Sequence, residues 1–192
     1  MRLNFNSSFI SKHLFFALLL MASFAVSAQT VEFGIQAGYT NIEGESSSSS
    51  DDVSYSGNSS GFFLGAVFDL TLSEKFHLQP SVNYANADET NFIVVPLLAQ
   101  YYIENSGFYL LGGPQATIFL DNYSIENIEF FNDLGIDLAF GAGYAITDNF
   151  FIEARYSFEL TNRYTKEIRD AAGSTDIDAG FNALSIGVGY KF

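Results

Sequence analysis

The sequence predicts an all-β fold, an eight-stranded antiparallel up-and-down transmembrane β-barrel. Three observations predict it. Apolar residues alternate with polar or small ones, with a period of two, from residue 31 to the end of the chain. The alternating segments number eight, an even count that lets an antiparallel barrel close without an unpaired edge in lipid. Three short connections alternate with other connections, most of which are long, as in outer-membrane barrels.

The first 28 residues are predicted to be a secretory signal peptide. Arg2 and Lys12 form a basic start, and residues 14–26 are an apolar run that is too short to span a membrane comfortably. Val26-Ser27-Ala28 places small residues at a cleavage site. The chain has no cysteine to carry a lipid, which excludes a lipoprotein signal, and an uncleaved anchor is the alternative. We therefore expect residues 29–192 to form one domain, the outer-membrane barrel.

Charge and composition restrict the possible partners. Without the signal, 6 basic residues face 22 acidic ones, a net charge of −16. Such a chain lacks the basic surface that nucleic acid requires. The absence of cysteine excludes disulfides and thiolate metal sites. The hydrophobic fraction is nevertheless 48%, which we reconcile with the charge by placing apolar residues on alternating strands and acidic residues in loops.

Eight segments carry the alternation, and seven have a clear phase. In the first, Val31, Phe33 and Ile35 share one face, and Glu32 and Gly34 share the other. The phase of residues 108–120 is left open. The segments are residues 31–39, 62–72, 76–84, 92–102, 108–120, 134–146, 150–160 and 181–192, and in the fourth we expect Val94, Pro96, Leu98 and Gln100 to point inward.

The glycines indicate which face is inside. The face opposite the bulky residues is rich in Gly, Ala and Ser, and an eight-stranded barrel has just enough interior for side chains. Phe, Tyr and Leu from every strand would overfill that space. The pattern therefore favours a membrane barrel over the alternative, a soluble barrel of the lipocalin type with apolar residues inside.

The connections predict an orientation. Residues 73–75, 104–107 and 147–149 are short turns, which we expect in the periplasm. Outside we expect residues 85–91 and three long loops that are acidic or rich in Ser and Asn, and residues 46–50 form a serine run typical of a mobile segment. The three long loops are residues 41–60, 121–133 and 161–180.

Residues 92–120, FIVVPLLAQYYIENSGFYLLGGPQATIFL, resemble the central hairpin of the outer-membrane β-barrel domain family, the porin-family or PorT-like proteins, which are eight-stranded barrels of the OmpX/OmpA type. Pro96 and the Gly113-Pro114 pair match the marks of that hairpin, and the ending GVGYKF is also similar. The resemblance implies the fold and says little about function. This chain departs from the family pattern at Val94 and Gln100, where the family often has an inward acidic residue and a lysine.

Charged residues on inward positions predict a structural network inside the barrel. Glu153, Arg155 and Glu159 share the inner face of one strand, and Asp69 and Lys191, together with Glu32 and Gln79, are expected in its periplasmic half. Buried charges must be paired and hydrogen-bonded, and Arg155 has several possible carboxylate partners. The functional alternatives are a charged constriction that gates ions and a pair of acid–base carboxylates.

The sequence predicts no catalytic residues, no metal and no cofactor. His77 is the one histidine after residue 28, and a lipid-modifying triad would need it near the outer leaflet. We expect it beside a periplasmic turn, as an inward polar filler. Asp51-Asp52 and the set Asp121, Glu126, Glu129 and Asp133 could offer calcium ligands, but they lack EF-hand spacing and are read as solvated charge.

Two segments predict contacts with other cell components. Arg163, Lys166 and Arg169 form a basic cluster in the last loop, which could bind lipopolysaccharide phosphates or be ordinary surface. Val188, Tyr190 and Phe192 resemble the carboxy-terminal signal that barrel-assembly machinery reads, with an aromatic girdle as the compatible alternative.

The predicted function is that of a non-enzymatic, monomeric outer-membrane protein. It would be surrounded by outer-membrane lipids and would be membrane-structural or bind an unidentified extracellular ligand through acidic loops. A narrow porin for small solutes is the alternative, ranked lower because eight strands usually leave no channel.

Overall fold

The computed structural model describes residues 30–48, 53–104, 106–120, 124–125, 128–129, 132–171 and 177–192. The expected signal peptide and its cleavage site lie outside these residues. In this part of the chain, no helix has the length and apolar character needed to cross a membrane. The elements in chain order are β1 Thr30–Ser48, β2 Val53–Thr71, β3 Phe76–Ala87, β4 Thr90–Tyr102, β5 Phe108–Phe119, β6 Ser124–Ile125, β7 Ile128–Glu129, β8 Leu134–Ala145, β9 Phe150–Glu159, α1 Lys166–Ala171 and β10 Ile177–Lys191.

Eight of the described strands form a closed antiparallel barrel, which confirms the predicted fold class. Their order around the barrel is β1-β10-β9-β8-β5-β4-β3-β2, and β6 and β7 form a separate small hairpin. The strands are tilted, because the pairing follows a stagger around the barrel. A path that starts at Thr40 and steps from each residue to its paired residue on the next strand returns to β1 at Thr30, ten residues earlier. The residues on this path are Ser185, Arg155, Gly141, Leu111, Gln100, His77 and Thr71.

The two faces of the barrel wall are divided as the alternation predicts. On β1, Phe33 is exposed and Gln36 is buried, and on β9 Ile152 is exposed while Glu153 is buried. The undecided fifth segment takes the phase that buries Tyr109 and Leu111 and exposes Phe108 and Leu110. The exposed aromatic and aliphatic side chains therefore face the lipid, and the polar and small residues fill the interior.

Glycines on the inner face make room for the few large rings inside. The ring of Tyr109 packs against Gly143, and the ring of Phe63 packs against Gly38 and Gly187. A methyl group on any of these glycines would collide with the ring. The glycines of the inner face therefore provide the space that a small number of inward aromatic rings occupy.

The short turns, the start of β1 and the end of β10 lie at one end of the barrel, which we call the terminal end, and we call the opposite end the distal end. The predicted long distal loops 41–60 and 161–180 are shorter in the structure than predicted. Residues 41–60 are mostly strand, since β1 and β2 remain paired as far as Ser48 and Val53. Residues 85–91, expected to be the one short distal connection, contain a tight turn at Asp88 and Glu89, both with positive φ. Residues 161–180 include α1 and the start of β10. The alternation of apolar and polar residues weakens in these polar stretches because neither face of the strands contacts lipid. Backbone hydrogen bonding between the strands does not depend on that alternation and continues.

Candidate functional site: the barrel interior

An ionic cluster occupies the terminal end of the interior. Lys191 Nζ lies 2.8 Å from Glu32 Oε2 and 2.7 Å from Asp69 Oδ2. His77 Nδ1 lies 2.6 Å from Asp69 Oδ1. Asp69 is almost completely buried, so both of its carboxylate oxygens have partners at hydrogen-bond distance. Lys191 belongs to the last strand and its two partners to the first two strands, so the cluster spans the closure of the barrel.

A hydrogen-bonded layer centred on Glu153 lies above this cluster. Tyr109 donates its hydroxyl to Glu153 Oε1 at 2.8 Å, and the side-chain amide of Gln79 donates to the same oxygen at 2.9 Å. The amide of Gln100 reaches it at 3.4 Å. Leu98 fills the same level and has no exposed surface. We call Glu153, Gln79, Gln100, Tyr109 and Leu98 the central layer. It comes from four strands and is buried throughout.

Arg155 lies next to the central layer on its distal side. Its Nε is 3.8 Å from Glu153 Oε2, an ion pair without a hydrogen bond. The guanidinium carbon lies 5.4 Å from the ring centroid of Phe63, a cation–π contact. Arg155 Nη1 and Glu153 Oε2 are buried and have no hydrogen-bond partner among the described protein groups.

Arg155 faces a cavity of about 60 Å³ in the distal half of the interior. We call this cavity the chamber. Asp137 lies on another wall, where its Oδ2 accepts hydrogen bonds from Thr117 at 2.5 Å and Gln115 at 3.1 Å. The chamber is lined by polar side chains such as Arg155 and Asp137 and by apolar ones such as Phe63. Its volume is enough for several water molecules.

Arg163 closes the chamber on its distal side. It is 1% exposed and forms an ion pair with Glu159. Its guanidinium donates to the carbonyl oxygens of Asn132, Asp133 and Thr117 at 3.0–3.3 Å. The prediction that Arg163 belongs to a surface basic cluster is therefore wrong. The peptide turns inward after β9, and the buried Glu159 draws the guanidinium into the barrel.

The predicted interior network is divided into three groups. Asp69 and Lys191 belong to the terminal cluster, Glu153 pairs loosely with Arg155, and Glu159 pairs with Arg163 instead of Arg155. Sequence reasoning placed Gln100 inward without identifying its partner, and it missed the interior roles of Tyr109 and Arg163. The phase of β5 would have identified Tyr109, but no pattern marks a loop arginine that folds inward. Gln100, one of the two departures from the family pattern, supplies a donor to Glu153.

The proposed assembly residues lie on the outer face of β10 at the terminal end. Val188 and Phe192 are exposed, and the Phe192 ring stacks on Phe33 with centroids 5.8 Å apart. Phe192 also donates its backbone N–H to the carbonyl of Phe33 at 2.8 Å. Tyr190 contacts the rings of Phe150 and Phe192. The arrangement forms part of an aromatic belt and leaves the terminal ring accessible.

The predicted loop sites lie partly outside the described residues. Asp51, Asp52, Asp121 and Glu126 lie outside the described residues, and the side chains of Glu129, Lys166 and Arg169 do as well. Among the side chains that are described, no three His, Asp or Glu residues come together in a way that could hold a metal ion. His77, the one histidine in the described part, contacts Asp69 and the ring of Tyr102.

Comparison with solved structures places the fold among outer-membrane barrels. Neisserial surface protein A is 17% identical, covers 85% of this chain and 100% of its own, and superposes with a TM-score of 0.51. Ail of Yersinia pestis is 16% identical with a TM-score of 0.47, covering 84% of this chain and 98% of its own. OprG of Pseudomonas aeruginosa is 18% identical with a TM-score of 0.46, covering 86% and 98%.

Sequence comparison identifies the family. A search of curated proteins finds no match. The family model described as "Outer membrane protein beta-barrel domain" matches residues 14–192, which is nearly the whole chain. The chain therefore belongs to the outer membrane protein β-barrel domain family, as the resemblance of residues 92–120 and of the carboxy-terminal strand implies.

Proposed function

We propose that this outer-membrane protein is a non-enzymatic, non-conducting barrel that presents a binding surface on the outside of a Gram-negative cell. By the rule that short turns face the periplasm, the terminal end is periplasmic and the distal end extracellular. The single observation that carries the proposal is the central layer. Its five side chains come from β3, β4, β5 and β9, and each is at most 3% exposed.

The central layer is a poor constriction for ion passage. A conducting filter presents its charges to a water-filled path, whereas Glu153 has one oxygen occupied by three neighbouring donors. Leu98 and the Tyr109 ring fill the remaining width. The features available to a partner are therefore at the distal end, where the described part of the β1–β2 hairpin extends beyond β3 and where exposed carboxylates include Glu45, Asp88 and Glu89.

Single-channel recording in a planar lipid bilayer tests the proposal. We expect the wild-type protein to give no discrete conductance steps, because the central layer blocks the lumen. Tyr109→Ala removes the largest ring of the layer and serves as the matched variant, in which steps should become detectable. Discrete steps of defined size from the wild-type protein would support the narrow porin instead.

The carboxy-terminal aromatic residues support a second, compatible role. We infer that Val188, Tyr190 and Phe192 are read by the barrel-assembly machinery before they become part of the aromatic belt. The exposure of Phe192 at 68% supports this inference, since its ring is only partly covered by its contacts with Phe33 and Tyr190.

A further inference from the structure

At the distal end, β1, β2 and β10 continue beyond their neighbours as a three-stranded sheet, which we call the distal sheet. β1 is the middle strand and stays paired with both β2 and β10 as far as Ser48. The outer neighbours stop earlier, since β3 pairs with β2 only as far as Gly61 and β9 pairs with β10 only as far as Asn182. The distal sheet therefore has two edges, residues 177–181 of β10 and residues 53–60 of β2.

The β10 edge is covered by the segment that ends β9 and follows it. The side-chain oxygen of Asn162 accepts the N–H of Ala179 at 3.3 Å, and the N–H of Arg163 donates to the carbonyl of Ala179 at 2.8 Å. Glu159 accepts the N–H of Phe181 at 3.0 Å. The chain itself therefore supplies partners to the backbone of this edge.

On β2, the even-numbered residues direct their backbone groups away from β1. Ser60 shows the direction, because its N–H donates to Asp88 Oδ2 at 3.2 Å and its carbonyl accepts the N–H of Asp88 at 3.3 Å. In an antiparallel strand, the N–H and C=O of one residue point to the same neighbour and successive residues alternate. The β1–β2 register runs without a bulge. Ser54, Ser56 and Asn58 therefore direct their backbone groups to the same side as Ser60, above the end of β3.

These three residues form an open strand edge, which we call the free edge. Ser56 and Asn58 are exposed, and within the described part of the chain no backbone hydrogen bond joins the three to a strand or loop on this side. Exposed edges are normally protected by lysine, proline or a bulge, and residues 53–60, VSYSGNSS, contain no proline and no charged residue. A strand edge with free donors and acceptors can pair with another extended chain.

We propose that the free edge binds an extended segment of another protein, which joins the distal sheet as an additional strand. The added strand lies about 4.8 Å from β2, above the end of β3 and in line with it. A second copy in the same membrane cannot take this place with its own β2, because the lower part of that strand would overlap β3 of the first copy. The partner segment is therefore a tail or loop outside such a barrel. This inference rests on the proposed binding function and names the kind of partner.

Amide hydrogen exchange, measured by NMR on the chain without its signal segment in lipid nanodiscs, tests the proposal. The probe is the capped peptide acetyl-TVTVTVK-amide at millimolar concentration, in which the lysine limits self-association. The control peptide is acetyl-TPTPTPK-amide, because proline cannot donate to a β-ladder.

Without peptide, we expect fast exchange at the amides of Ser54, Ser56 and Asn58 and slow exchange at those of Tyr55 and Gly57, which face β1. The probe should slow exchange several-fold at the three even-numbered residues only, and the control peptide should not. Slow exchange at the free edge without any peptide would overturn the proposal, as would the absence of slowing with the probe.

Ser56→Pro removes one donor of the free edge and keeps the pairing with β1, since that N–H does not face β1. It should abolish the slowing at Ser54 and Asn58, whereas the matched control Ser56→Ala keeps the N–H and should behave as wild type. Slowing that persists unchanged in Ser56→Pro would contradict the proposal. The wild-type contrast between even- and odd-numbered residues stands even where Ser56→Pro fails to fold. The conductance experiment involves no peptide, so failure of strand addition is distinguishable from failure of the non-conducting barrel.

Discussion

Lys191 Nζ lies 2.7 Å from Asp69 Oδ2, which ties the last strand of the barrel to the second. The same ammonium lies 2.8 Å from Glu32 on the first strand, between the other two in the wall. The contact therefore crosses the seam where the first and last strands of the barrel pair. An ammonium at this position neutralises a carboxylate that has only 2% of its surface exposed and that would be costly to bury alone.

Lys191→Met should lower the free energy of unfolding by about 3 kcal/mol, because it leaves Asp69 buried without its ammonium partner. The measurement is urea unfolding in lipid vesicles, followed by the gel-mobility difference between folded and unfolded barrel. Lys75→Met is the matched control, since the exposed Lys75–Glu104 pair is expected to contribute less than about 1 kcal/mol. Equal unfolding midpoints for the two variants would contradict a special role for the seam contact.

Arg155→Ala should also lower the thermal stability of the barrel. It removes the cation beside Glu153 Oε2, an oxygen with no hydrogen-bond partner among the described groups. We expect a loss of about 1–3 kcal/mol, the range for an uncompensated buried polar group. Arg155→Ala/Glu153→Gln should recover part of the loss, because the second change removes the unpaired charge. An unchanged temperature of the gel-mobility transition in Arg155→Ala would be evidence against the pairing.

Arg163→Ala should loosen the distal end and leave the terminal end intact. Arg163 joins Glu159 to the backbone of residues 132–133 and to Thr117, so its loss leaves several buried acceptors without donors. Amide hydrogen exchange should accelerate at residue 163, whose backbone N–H donates to the carbonyl of Ala179, and stay slow at Tyr190. Uniform acceleration over the whole barrel would show instead that Arg163 supports global stability.

Deleting Phe192 should reduce insertion into the outer membrane several-fold when the protein is expressed in cells. The reason is the loss of the terminal aromatic residue that the assembly machinery is proposed to read. Phe33→Leu is the control, since it removes the ring that Phe192 stacks on and keeps the carboxy terminus. Similar losses in both variants would assign the effect to the aromatic belt, and normal insertion of the truncated protein would exclude the assembly role.

Alternation predicted the barrel wall because lipid and interior impose opposite requirements on neighbouring residues. Where that contrast is strong, as on β8 and β9, the predicted faces agree with the structure. Where it is weak, the prediction failed. Residues 41–48 and 53–60 were interpreted as loop, yet their backbones pair without interruption from Asn41↔Ser60 to Ser48↔Val53. Serine and glycine give no apolar period there, although backbone hydrogen bonding needs none.

Inside the barrel, too, the alternation predicted the face of each residue but not its contacts. Inward positions for Asp69, Glu153 and Lys191 followed from phase alone, but their partners did not. Pairing depends on the stagger between strands that are distant in the chain, as for Asp69 and Lys191, whose sequence separation is 122 residues. The sequence shows which face a residue occupies, and the closed barrel determines its height and its neighbours.

By itself, the sequence determined the all-β class, the eight strands, the inner and outer faces and the family, because each of these depends on local periodicity or on a short motif. Only the tertiary structure decided that Arg163 is buried and that Glu153 is enclosed by Tyr109, Gln79 and Gln100. These features arise where separate strands reach the same height inside one narrow barrel. The alternation along any single strand carries no record of that height.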